Sequence, residues 1–175
     1  MPPKVLKHAA LDQRASTPDI LRMLMANVPD EVAVQKPAPD RWSIAEVLEH
    51  LSHVEGHLFR SRVDVILAAE GAPVEAYDEQ VFYTAGAYST NDPEEAFAHW
   101  EEQREEALLV LRALEPADLN RAGQHPEFGR FTLGQLLNTW VTHDLGHVRQ
   151  VAELVRAQIF WPESGPFQPH HHLRP

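Results

Sequence analysis

Apolar residues recur at helical three- and four-residue intervals in four stretches of the chain, and each stretch opens with a polar side chain suited to cap the free N–H groups of a first turn. Thr17-Pro18 precedes Ile20, Leu21, Leu24 and Met25, so the first helix is predicted to start there and to stop near Pro29. Ser43-Ile44-Ala45-Glu46 reads as a capping box ahead of Val47, Leu48, Leu51, Val54 and Leu58, with Gly71 and Pro73 as stop signals. Asp92-Pro93 opens a third helix through Phe97, Trp100, Ala107, Leu108, Leu111 and Leu114, which Pro116 stops. Thr132-Leu133-Gly134-Gln135 is a second capping box, and Leu136, Leu137, Trp140, Val141, Val148, Val151 and Val155 carry a fourth helix to about Ile159. The pattern predicts an all-α four-helix bundle. At 175 residues the chain can bury a sizeable core, so one domain is expected over residues 1–175.

Between the second and third helices, residues 72–91 hold Tyr77, Phe82, Tyr83 and Tyr88, and a connection of that length suggests cover for a pocket. Beyond Trp161 the chain is rich in proline and histidine and reads as an irregular extended tail over residues 161–175.

Composition narrows the chemistry. Lys plus Arg number 15 against 26 Asp plus Glu, a formal charge of -11, which repels phosphate backbones and anionic lipid and argues against a nucleic-acid or membrane partner. Cysteine is absent, so disulfides, thiolate nucleophiles and thiolate metal sites are excluded, and any metal has N and O ligands. Met1 to Ala10 lacks the apolar core of a signal peptide, and no run of about 18 apolar residues occurs, so a cytoplasmic protein is expected.

His143 and His147, at i and i+4 of the fourth helix, lie one above the other and can reach one ion. The spacing is that of HExxH zinc proteases, but Asp144 stands where their general-base glutamate would be. The second helix offers His50, His53 and His57. On a wheel of about 100° per residue, His50 flanks the apolar stripe at roughly 90° from its centre, whereas His53 at roughly 150° is expected to face water. His143 and His147 lie at the edge of their own apolar stripe, so His50, His143 and His147 form the consistent set. His8, His99, His125 and His170 to His172 are assigned no role in the site. Asp144, near the middle of an apolar stripe, is either an orienter of a ligand or part of a buried pair.

Trp42-Ser43-Ile44, His50-Leu51 and His143-x-x-x-His147-x-Arg149-Gln150 together resemble the DinB-like superfamily, over most of the chain. That resemblance implies an up-up-down-down four-helix bundle, a homodimer in many members, and a divalent ion such as zinc or nickel on three histidines, at positions occupied here by His50, His143 and His147. It also implies a choice of activities. Members of the wider family include transferases that use a low-molecular-weight thiol on a small molecule, and others described as metal-dependent hydrolases.

Three neutral imidazoles leave coordination positions open for a thiol or water, so both activities suit the site, with thiol transfer placed ahead of hydrolysis. Arg60, Arg62 and Arg149 are weak candidates for binding a substrate carboxylate. For hydrolysis, Glu46, Glu49, Glu55 and Asp144 are the helix-borne acids; Glu55 is the best placed as a base, or else it is buried against an arginine. A third reading is a non-catalytic module in which the metal is structural. No catalytic residue is assigned.

Overall fold

The computed structural model describes residues 6–89 and 92–172. Met1 to Val5, part of the stretch read above for a signal peptide, and the last three tail residues, Leu173 to Pro175, lie outside them.

Helix α1 (Ala9–Met25) begins about two turns ahead of the expected start. His8 caps it, a ring nitrogen accepting from Ala10 N, and Pro18 lies inside the helix. Thr17 donates its hydroxyl to the Gln13 carbonyl one turn back instead of capping. Pro18 has no N–H to offer the Arg14 carbonyl four residues earlier. Arg104 Nη1 donates to that carbonyl instead, at 3.1 Å. What reads as a start signal is the point where a buried arginine meets the helix backbone.

A single turn, α2 (Asp30–Ala33), leads to α3 (Ile44–Val54), which opens with the Ser43–Glu46 capping box. This helix passes through a π-helical turn (Glu55–Arg60) into α4 (Ser61–Ala68). The long connection contains β1 (Ala72–Pro73) and α5 (Glu79–Thr84). Helix α6 (Pro93–Arg112) has Asp92 as its cap and proline at its start. A hairpin of β2 (Ala122–His125) and β3 (Gly129–Thr132) turns through Gly129, whose φ of +74° suits glycine, and β1 pairs parallel to β2. The helical pattern did not predict this small sheet. Helix α7 (Leu133–Val155) starts at the Thr132–Gln135 capping box and continues by a π-helical turn to Phe160. The tail is not extended as expected: Pro162–His170 forms 3-10 turns broken at Gly165, and Arg156 Nη2 donates to the His172 carbonyl. No helix among the described residues is long and apolar enough to cross a membrane.

The four-helix bundle is as expected, but its helix directions are not up-up-down-down. One core cluster joins Leu11 near the start of α1 to Ile66 near the end of α4, Leu111 near the end of α6 and Leu137 near the start of α7. The other joins Leu21, Ile44, Ala96 and Leu154, from the opposite ends of those helices. The directions are therefore up-down-down-up, with α1 parallel to α7 and α3 parallel to α6. Two parallel neighbours joined in sequence need a return crossover, which is why residues 69–92 form so long a connection.

Between the two apolar clusters lies a charged layer with one residue from each strut of the bundle: Arg14, Glu55, Arg104 and Asp144, all about 1% exposed or less. Glu55 accepts from Arg14 Nη2 at 2.6 Å, from Arg104 Nε and Nη2 at 2.7 and 2.8 Å, and from the Trp140 indole at 3.1 Å. Arg104 also reaches both Asp144 oxygens, at 2.9 and 3.0 Å. The Arg14 guanidinium lies 3.3 Å over the Trp140 ring. Burial, then the Arg104 charge, pull Arg14 down to about 9, still cationic at neutral pH. Despite burial, Asp144 and Glu55 hold Arg104 above its ordinary value. Both acids proposed from the helical wheel are thus structural. Glu55 belongs to this layer and not to the histidines, which removes it as a candidate base.

Candidate metal centre

The capping boxes at Ser43 and Thr132 set the starts of α3 and α7, and from those starts the helical repeat brings His50 of one against His143 and His147 of the other. His50 Nε2 lies 3.1 Å from His143 Nε2, which lies 3.2 Å from His147 Nε2. One ligand atom from each of the three falls within 4.8 Å of the others. Ligands on a tetrahedral ion with bonds of 2.0–2.1 Å stand about 3.3 Å apart, so the spacing fits such an ion.

The outer ring nitrogen of His147 sets its tautomer. Gln150 Oε1 lies 2.8 Å from His147 Nδ1 and can only accept, so Nδ1 carries the proton and Nε2 presents a lone pair to the cluster. His50 Nδ1 lies 3.1 Å from the Tyr88 hydroxyl, which in turn lies 2.9 Å from that of Tyr77. Burial favours neutral rings. It pulls His50 down to about 2 and His143 to about 3, in both cases with help from the His147 charge, and it lowers His147 as well. Three uncharged, convergent imidazoles are the donor set that a borderline divalent ion prefers.

The surroundings are aromatic. Trp42 packs on His50 with ring centroids 5.0 Å apart, Tyr88 meets the same ring edge-on, and Phe59 of the π-helical turn meets His143 edge-on. The crossover is fastened above α3 by Lys36, which donates to Tyr83 Oη and pairs with Glu46 at 2.9 Å. This is the covering segment expected from its length. It also brings Glu79 to the site, with Oε2 3.9 Å from His50 Nε2. Burial, then the Asp78 charge, raise the Glu79 carboxyl above its ordinary value.

Several sequence assignments change. His53 does not face open water: it stacks on His57 at 4.3 Å and packs under Phe82 at 4.5 Å. Glu46 is held by the capping box and Lys36, and Glu49 lines a separate groove with His53, His57 and His99. Arg60 pairs with Asp64, and Arg62 donates to the Glu75 carbonyl. Of the weak carboxylate-binding candidates only Arg149 borders the site. It lines an open cleft of about 740 Å³ together with Arg41, His143, His147, Arg156 and His172. Sequence reasoning missed Glu79 and the role of Tyr88; the aromatic richness of residues 72–91 was the available signal.

The profile of the DinB superfamily matches residues 13–151. "Putative metal-dependent hydrolase OB0782" of Oceanobacillus iheyensis is 26% identical over 118 residues, 66% of this chain and 66% of that protein, so the chain spans just under two thirds of that relative. The uncharacterized protein YuaE of Bacillus subtilis is 26% identical over 144 residues, 71% of this chain and 84% of YuaE. Among solved structures, YfiT from Bacillus subtilis, described as a probable metal-dependent hydrolase with an unusual four-helix bundle topology, aligns over 85% of each chain with a TM-score of 0.75. At 21% identity that likeness shows the fold alone.

Proposed function

The chain belongs to the DinB superfamily, and from that premise we propose that it is a metal-dependent hydrolase whose divalent ion, zinc or nickel, is held by His50, His143 and His147. The observation that carries this reading is the convergence of three neutral imidazole nitrogens beside an open cleft. A structural zinc site normally closes with four protein ligands, whereas three leave room for water and substrate.

When bound, the ion supplies a Lewis acid and lowers the pKa of water toward about 7. The chain's own residues do the rest. Gln150 and Tyr88 fix the His147 and His50 rings through their outer nitrogens, so the ligand atoms need little reorganisation. Glu79 is the general base, taking a proton from the attacking water and passing it to the leaving group. Trp42 and Tyr88 pack on the His50 ring and Phe59 on the His143 ring, which limits the access of bulk water to those two imidazoles. Names given to relatives support hydrolysis, while nothing in the site favours a thiol over water.

The test uses protein loaded with zinc or nickel and a panel of nitrophenyl esters and anilides. Metal-dependent turnover that His143→Ala abolishes supports the reading. One equivalent of metal without turnover on any of them would refute it, and turnover appearing only with an added low-molecular-weight thiol would assign group transfer instead.

A further inference from the structure

We infer that Arg41 and Arg149 form an oxyanion-binding subsite beside the histidine cluster, so that the molecule hydrolysed carries a carboxylate or phosphate group. The inference rests on the hydrolase reading for its place in a reaction, but not for the binding itself.

The chain is strongly acidic, and eight of the eleven described arginines are already engaged. Arg14, Arg22, Arg60, Arg104, Arg130 and Arg156 form ion pairs with carboxylates. Arg62 and Arg121 donate to backbone carbonyls. Among the described residues this leaves Arg41, Arg112 and Arg149 with no partner for the guanidinium. Two of those three line the same cleft, and that cleft also exposes His143 and His147.

Charge within the cleft is uneven. Among the described lining residues Glu153 is the one carboxylate, and it accepts from Arg156, against three arginines in the same cleft. They come from separate elements: Arg41 precedes the α3 cap, and Arg149 lies two residues beyond His147 on α7. An anion between them would therefore be gripped from two sides while the rest of its molecule reaches the histidines. A planar guanidinium matches both carboxylate and phosphate oxygens, and on a surface of opposite overall sign two such groups draw anions selectively to this one place.

The test is calorimetric titration of zinc-loaded protein with succinate and, separately, with inorganic phosphate. Saturable binding of either anion is expected, and which one binds identifies the group. The Arg41→Gln/Arg149→Gln variant should bind about tenfold to a hundredfold more weakly, as expected for losing charge-assisted hydrogen bonds. Arg112→Gln should bind as the parent does. Because an ion can itself attract anions, the comparison is repeated on the His143→Ala background, where the arginine-dependent difference should persist. No binding of either anion, or equal binding by the double variant, would overturn the subsite. Ester assays separate the two ideas: arginine-dependent anion binding without turnover sinks hydrolysis alone, and equal turnover of neutral and anionic esters in parent and double variant sinks the subsite alone.

Discussion

Glu55→Gln offers a stringent check on the charged layer. The substitution keeps the shape of the side chain and removes one negative charge from a buried set of two cations and two anions. The amide presents one oxygen where the carboxylate presented two, against donors from Arg14, Arg104 and Trp140. Leaving a buried charge uncompensated in this way costs about 3–5 kcal/mol. For a chain of this size that is a fall in Tm of about 10 °C. Thermal unfolding is followed by circular dichroism with a chelator present, so that metal binding does not contribute. Adding Arg14→Met restores neutrality and removes the orphaned guanidinium, so the double variant should be more stable than the sum of the two single losses allows. A Glu55→Gln loss under about 1 kcal/mol, or double-variant losses that add to within about 0.5 kcal/mol, would refute the view of the layer as one coupled unit.

Four further outcomes are expected. Metal analysis should find His50→Ala and His147→Ala empty and His53→Ala loaded, since only the first two rings belong to the convergent set. Tyr88→Phe should weaken zinc affinity about tenfold to a hundredfold in competition with a chromogenic chelator, through the lost partner of His50 Nδ1. Glu79→Gln should retain its metal and lose about 10²- to 10⁴-fold in kcat; an unchanged rate would remove Glu79 as the base. For the metal-free protein, the folded-state pKa values of His50 and His143 lie below the unfolded value of 6.5, so the unfolded chain binds more protons as pH drops. Stability is therefore unaffected above about pH 6.5 and lost below it, by up to about 2 kcal/mol per histidine by pH 5, and denaturant titrations across that range should show a shallower fall in His50→Phe.

The starts of α3, α6 and α7 were readable because capping is local: Ser43 with Glu46, Asp92 with Pro93, and Thr132 with Gln135 satisfy first-turn groups within a few residues of sequence. Thr17-Pro18 failed by the same logic, because the acceptor left open by the proline is filled by Arg104 from another helix. The wheel brought His50, His143 and His147 to candidate positions, since each helix's apolar stripe reports the direction of the core. It misplaced His53 because the cover over that ring, Phe82, comes from the crossover and not from its own helix. Helix direction, the small sheet and the approach of Glu79 all depend on how the crossover lies in space, which no local pattern encodes.

The crossover also sets a lower limit on how far this protein can be shortened. The helical run from Ile44 to Ala68 is roughly 37 Å long at 1.5 Å per residue, and a chain that must climb back that distance needs at least about eleven extended residues. The segment from Ala69 to Asp92 is about twice that length. Its slack is what lets α5 coil and lets Glu79 and Tyr88 reach the histidines. Trimming down to the bare span would leave a chain that still closes its bundle but lacks Glu79 and Tyr88 beside the three histidines, so a graded series of internal deletions should separate folding from function within one stretch of sequence.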